Sequence, residues 1–408
     1  MLRPKSVAGI KVTGMAFAAV VMSLFALVVT CRAGDAHSAA QSEKLCGDYQ
    51  FDLTDAGAGT LIVKFFEKDG SVWFQTASAA EPRRLDPVAG RSNAFTTRDP
   101  VEGLYEIEFL EDENSGLSAV RLKNDAMALD VIGTRLEKQV HFPTLLERLR
   151  SRDGLAETRN DLRGTRAAVF FGRGMDGHSA LAIGRAFQWM GCDVDVVDPD
   201  DIKRGLLADF DVLAFPGGET DPDPWNELGP AGKAKVQEFI RNGGGYVGIC
   251  FGALFAATSG DFWGAEIGER ELYLDLFAGE AHCGQADVAP RGSWPLMTDL
   301  AVSHCGHPIT AALPERIRVV SYPNGPYFQP NKGVDVTIVA TFAATGNPAM
   351  VAFEYGGGRV FLSGPHPEIE VDSDRDGSSK FDELSDQGSE WPLLLAVMRW
   401  ITEPREAP

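Results

Sequence analysis

The pentapeptide Gly248-Ile249-Cys250-Phe251-Gly252 constrains this chain more than any other stretch. It continues the apolar run Tyr246 to Ile249, a buried strand by its length and neighbours. The chain must therefore turn sharply from strand to helix with a cysteine at the apex, and glycine on either side removes side chains that would clash there. A helix starting near Phe251 would aim its N-terminus at the sulfur and favour thiolate over thiol. Open α/β sheets place their sites at the carboxyl ends of parallel strands, so the elbow calls for such a sheet around it.

The surrounding pattern supplies one. Ala167 to Phe171, Val194 to Val197 and Val212 to Phe215 read as short buried strands, and His178 to Met190 and Lys233 to Arg241 as helices. Strand-like runs recur at Arg318 to Ser321, Val336 to Ala340, Ala349 to Phe353 and Arg359 to Leu362. Glu390 to Ile401 is a closing helix, with Ser389 as N-cap and Pro392 in its first turn. The expectation for residues 166–405 is an α/β domain with a flavodoxin-like, mainly parallel sheet.

Upstream the pattern differs. In residues 41–140, Leu61, Val63 and Phe65 alternate, as do Tyr105, Ile107 and Phe109, with turns at Glu67 to Gly70 and Asn114 to Gly116. This predicts a small antiparallel sheet or barrel. It resembles, weakly, the lipocalin-like β-domain attached to some exported serine hydrolases. It reads as a packing or oligomerisation module, with a ligand-binding barrel as the alternative. Residues 141–165 read as a helical linker, with Leu145, Leu146 and Leu149 at helical spacing.

Residues 1–40 look like an export signal: Arg3, Lys5 and Lys11, then an apolar run from Met15 to Val29, shorter than the about 20 residues of a membrane span. Cleavage near Ser38-Ala39-Ala40, lipidation at Cys31 and an uncleaved anchor stay open. Each implies a periplasmic or secreted protein that meets a membrane only through this segment. The remaining cysteines are too widely spaced for a disulfide scaffold, and Cys192 reads as a buried inert thiol.

A cysteine nucleophile needs a base, and the base an orienting carboxylate. The strand Val360 to Ser363 runs into Gly364-Pro365-His366-Pro367-Glu368, which places His366 and Glu368 at a strand end with proline stiffening the segment. Cys250 in its elbow, followed by this His-Pro-Glu, resembles class I glutamine amidotransferases. Closer still is the N-terminal region of some biotin-protein ligases, also found as stand-alone exported proteins. Matching stretches are Pro216-Gly217-Gly218, Gly243 to Cys250, Tyr322-Pro323-Asn324-Gly325-Pro326 and Ser363 to Glu368. The resemblance covers roughly residues 166–403. It implies Cys250, His366 and Glu368 as a triad, with the backbone N–H groups of Gly218 and Phe251 as oxyanion hole. Gly217, Glu219, Tyr322 and Asn324 would line the substrate site. The implied chemistry is acyl transfer on an amide C–N bond through a thioester, on a small-molecule or peptide amide and without a required cofactor. No ligase catalytic region or synthase domain follows the closing helix, so glutamine-fed biosynthesis is not expected. A catalytically silent binding module on the same fold is the alternative.

Two more clusters raise metal questions. Asp372, Asp374, Asp376 and Glu383, with Ser378 in the loop, fit the D-x-D-x-D-G-x₅-E spacing of a calcium loop, and a structural Ca²⁺ is weighed against a solvated acidic loop. His282-Cys283 and His304-Cys305-Gly306-His307 could hold a transition metal, form a Cys283–Cys305 disulfide, or be structural residues near the cleft. The formal net charge of −20 argues against a nucleic-acid partner. Self-association through the β-domain is a further expectation.

Overall fold

A computed structural model describes residues 45–404, apart from 54–58, 77–81, 100–102, 113–115, 126–128, 153–154, 156–157, 219–222, 268–270, 272, 292, 294, 304–305, 312, 372, 378–380, 382–383 and 385–387. The expected export signal, Cys31 included, lies outside these residues. The chain divides into two compact units at Val140/His141.

The first unit is a meander of β1 (Gly47–Leu53), β2 (Gly59–Lys68), β3 (Ser71–Thr76), β4 (Arg83–Arg84), β5 (Asp86–Pro87), β6 (Ala94–Asp99), β7 (Gly103–Asp112), β8 (Gly116–Asn124) and β9 (Leu129–Arg135). Successive strands, β4 to β5 excepted, pair antiparallel, and β9 returns to β1. The two ends of this sheet, β4 and β5, are separated by Leu85 alone, so one kinked strand closes it into a barrel. Closure removes the exposed edges of an antiparallel sheet. Alternate residues face inward, and the interior is filled by Tyr49, Phe51, Phe65, Phe74, Phe95, Tyr105 and Phe109. Tyr49, Phe65, Phe95 and Phe109 meet edge to face at 5.1 to 6.0 Å. With nine strands, this unit is larger than the small sheet expected.

The second unit opens with α1 (Leu145–Ser151), fixed by a capping box in which Glu147 N–H donates to Thr144 and the Glu147 carboxylate accepts from the Thr144 N–H. There follow β10 (Arg166–Phe170), α2 (Gly177–Met190), β11 (Asp193–Val197), α3 (Pro199–Arg204), β12 (Val212–Phe215), α4 (Asp223–Arg241), β13 (Gly245–Ile249) and α5 (Phe251–Phe255). Then come β14 (Ser259–Phe262), β15 (Ala265–Glu266), β16 (Gly279–Cys283), β17 (Leu296–Val302), β18 (Arg316–Ser321), β19 (Pro326–Pro330), β20 (Thr337–Phe342), β21 (Pro348–Tyr355), β22 (Gly358–Ser363) and α6 (Trp391–Thr402).

The main sheet has nine strands in the order β11-β10-β12-β13-β22-β21-β20-β17-β18. Pairings from β11 to β22 are parallel, and those from β22 to β18 antiparallel. It is thus a mixed sheet rather than a mainly parallel one, because hairpins replace helical crossovers after β17. The central parallel strands β12 and β13 are buried on both faces. Val169, Ala214, Val247 and Phe361 join Leu149, Leu181, Phe187 and Met398 in one core layer. Their neighbours Phe170, Phe215, Tyr246 and Leu362 join Leu228, Val236 and Leu254 in the other.

A four-stranded sheet, β15-β14-β16-β19, was not anticipated, nor was β17. The helix expected from Lys233 begins at Asp223, broken at Gly229 (φ 59°, ψ −177°) before Pro230. The closing helix has Glu390 as N-cap, while the Ser389 hydroxyl accepts the Trp391 N–H. Among the described residues no helix is long and apolar enough to cross a membrane.

Candidate active site

Cys250 joins β13 to α5 with φ 49° and ψ −106°, a conformation an L-residue adopts only under constraint. The constraint is visible on the neighbouring backbone. Cys250 N–H donates to Ser363 O at 2.7 Å, Gly252 N–H to Pro216 O at 3.2 Å, and the Cys250 carbonyl accepts from Ala253 and Leu254. Glycine is required at 252, where a Cβ would lie 2.2 Å from Phe215 O. The elbow therefore forms as expected. The helix behind it has only five residues, so its dipole is shorter than the sequence pattern suggested. Cys250 is 8% exposed.

His366 and Glu368 follow β22, the strand beside β13, and His366 N–H donates to Val320 O at 2.8 Å. Both side chains are buried, and His366 Nδ1 donates to Glu368 Oε1 at 2.7 Å. Nε2, on the other side of the ring, has no hydrogen-bond partner among the described residues, and Cys250 is near enough to influence the ring electrostatically. Burial alone would lower the imidazole pKa. The Glu368 carboxylate and the Cys250 sulfur outweigh burial and raise it to about 10.

Ser179, in the first turn of α2, was not singled out from the sequence. It is fully buried; its Oγ donates to Glu368 Oε1 at 2.6 Å and accepts the Gly217 N–H at 2.8 Å. The available signal was its place two residues after Gly172-Arg173-Gly174-Met175-Asp176-Gly177, the turn following the first parallel strand. Trp391, equally unanticipated, donates its indole N–H to the Glu368 carbonyl at 2.9 Å.

The other expected site residues are placed as follows. Gly217 N–H is taken by Ser179 and its carbonyl accepts from Asp176 N–H at 3.0 Å, so its backbone serves the scaffold. A Cβ at Gly217 would lie 2.6 Å from His366 Cε1. Gly218 pairs with Met175 in an isolated bridge. Phe251 opens α5 and stacks on Phe255 at 6.0 Å. The half-buried Tyr322 sets its ring 4.7 Å from that of His366. Burial, then the charges of Asp176, Cys250 and Glu368, push its hydroxyl pKa well up, so it stays protonated. Asn324 is half-buried in the turn between β18 and β19. Glu219 lies outside the described residues.

Of the acidic loop, Asp372, Ser378 and Glu383 lie outside the described residues. Asp374 sits in a short 3₁₀ turn with Asp376. The buried Asp376 carboxylate is turned inward, 3.1 Å from His178 Nε2 and accepting the Glu370 N–H at 3.3 Å. Among the described residues no group of three or more His, Cys, Asp or Glu side chains gathers as a metal site. His282 Nδ1 contacts Asp261, and its ring lies 5.0 Å from that of Tyr327. Cys283 is a buried thiol without a disulfide, raised well above the usual range by burial and then by Cys250 and Asp261. His304 and Cys305 lie outside the described residues. Cys192 is buried, and burial followed by Asp193 and Asp211 pushes its thiol up to about 12, which suits an inert residue.

Residues 197–390 match the sequence model of the family described as "Biotin-protein ligase, N terminal". The resemblance read from the sequence is borne out over that stretch. No curated protein matches the chain. Among solved structures, PurLQS from Thermotoga maritima is similar at 18% identity and a TM-score of 0.40, over 58% of this chain and 98% of that one. A glutamine amidotransferase from Thermotoga maritima is similar at 11% identity and a TM-score of 0.40, over 59% and 99%. A ThuA-like protein from Bacteroides uniformis is similar at 14% identity and a TM-score of 0.39, over 60% and 92%.

Proposed function

We propose that this protein is an exported cysteine amidohydrolase or acyltransferase that cleaves an amide C–N bond through a thioester. The observation that carries the reading is a buried imidazole bonded to a buried carboxylate at the end of the strand to which the elbow cysteine is hydrogen-bonded. The raised pKa of that imidazole favours a proton resting on His366, next to the elbow cysteine.

The chemistry follows from that pair. The sulfur, carrying its electron pair, attacks the amide carbon and forms the C–S bond. Charge collects on the carbonyl oxygen, for which we assign the Gly218 and Phe251 N–H groups as donors. Collapse breaks the C–N bond as His366 gives its Nε2 proton to the leaving nitrogen. Water then attacks the thioester and His366 takes one of its protons. The C–S bond breaks, releasing acid and restoring the pair. Glu368 accepts the Nδ1–H throughout and so fixes the tautomer. The Tyr322 ring against His366 limits the ring's motion.

The test is alkylation by iodoacetamide with modified cysteines mapped by mass spectrometry. Cys250 should react well ahead of Cys192 and Cys283, and His366→Ala should remove that advantage. Equal rates in the wild type and His366→Ala would leave a silent binding module on the same fold.

A further inference from the structure

We infer that Ser179 is a positioning residue that ties the Pro216-Gly217-Gly218 loop to the His366–Glu368 pair; its catalytic meaning rests on the reading above. A serine hydroxyl has one proton to give and lone pairs to receive with. Here the proton goes to Glu368 Oε1 at 2.6 Å, and Gly217 N–H supplies the incoming bond at 2.8 Å. The same Oε1 accepts His366 Nδ1–H at 2.7 Å. The result is an unbroken path, Gly217 N–H to Ser179 Oγ–H to Glu368 to His366, through fully buried groups.

Ser179 is poorly replaceable within this arrangement. The second carboxylate oxygen, Glu368 Oε2, is buried and has no hydrogen-bond partner among the described residues. Beside His366, Ser179 is therefore the group that orients the carboxylate. Trp391 holds only the Glu368 backbone. Loss of the hydroxyl would also strand the buried Gly217 N–H, whose loop lies directly against the imidazole. A Cβ on Gly217 would meet both His366 Cε1 at 2.6 Å and Ser179 Oγ at 3.2 Å. Loop, hydroxyl and ring are thus packed as one body, and a shift in the loop must be felt at the base. The position in the first turn of a 14-residue helix adds a favourable dipole for the carboxylate.

Two measurements on the full chain test this. One is the Cys250 alkylation rate; the other is the downfield proton signal of the His366 Nδ1–H···Glu368 bond. Ser179→Ala should slow alkylation about tenfold, the size expected for a lost hydrogen bond to a charged group, and move the Nδ1–H signal upfield. Ser179→Thr, which keeps the hydroxyl, should restore both. Should Ser179→Ala not fold, Ser179→Cys keeps the volume with a weaker donor and should give intermediate values. A folded Ser179→Ala or Ser179→Cys protein with wild-type rate and wild-type signal overturns the inference. Wild-type alkylation that is indifferent to His366 would defeat the hydrolase reading instead, while the proton signal, which needs no chemistry, would still decide the role of Ser179.

Discussion

His366 carries the sharpest consequence at the scale of single residues. Its pKa is raised from 6.5 to about 10 in the folded protein. The folded state therefore holds that proton more tightly than the unfolded chain. The resulting stabilisation is complete below about pH 6.5 and is lost as pH rises toward 10. Thermal melting followed across this range should show Tm falling with pH, and His366→Gln should flatten that part of the profile. Glu368→Gln keeps the shape but removes the charge that holds the imidazolium, and should slow Cys250 alkylation by about tenfold or more. Cys250, His366 and Glu368 stood out in the sequence because each sits in a stiff, glycine- or proline-framed segment at the end of a strand. Ser179 did not, since a serine in a helix's first turn carries no mark of which carboxylate it will meet from a strand far along the chain.

At the scale of elements, the elbow and its neighbours behave as one tightly packed joint. Gly217→Ala would press a methyl group against His366 Cε1, at a cost of about 1–3 kcal/mol. It should lower both Tm and Cys250 alkylation. Thr144→Ala removes the capping box of α1 and should cost about 1 kcal/mol by denaturant unfolding without changing the alkylation rate. Short buried strands such as β10, β12 and β13 could be read from their apolar runs. The four-stranded sheet around Cys283 could not, because β14 and β16 are short and rich in polar or small residues such as Ser259, Gly260, Asp261, Glu280 and His282. The start of α4 was hidden by Gly229-Pro230, which breaks the helical pattern although the helix resumes beyond it.

At the scale of the molecule, each unit has its own core. Aromatic rings fill the β-barrel, and two apolar layers cover the faces of the mixed sheet. In the barrel, Gly133 makes room for the Phe51 ring, which a Cβ at 133 would approach to 2.7 Å. Gly133→Ala should therefore weaken the barrel by about 1–3 kcal/mol in denaturant unfolding. The Cys250 alkylation rate should not change. Barrel closure was only half legible. Alternation marked the long strands, but the bent segment Arg83 to Pro87, which joins the two ends, has no alternation to read. The excess of antiparallel strands in the second unit was missed for a related reason. Runs such as β20 and β21 are as apolar as parallel strands, and only their hairpin pairing separates the two cases.

The raised pKa of His366 beside Glu368 and Cys250 underlies the proposed chemistry. Titration of its ring nitrogens by ¹⁵N NMR measures this most directly. His366 should keep both ring protons through neutral pH and lose one only near pH 10, and Cys250→Ala should move this transition downward. A His366 ring that titrates near the ordinary value of 6.5, and is unaffected by Cys250→Ala, would contradict it.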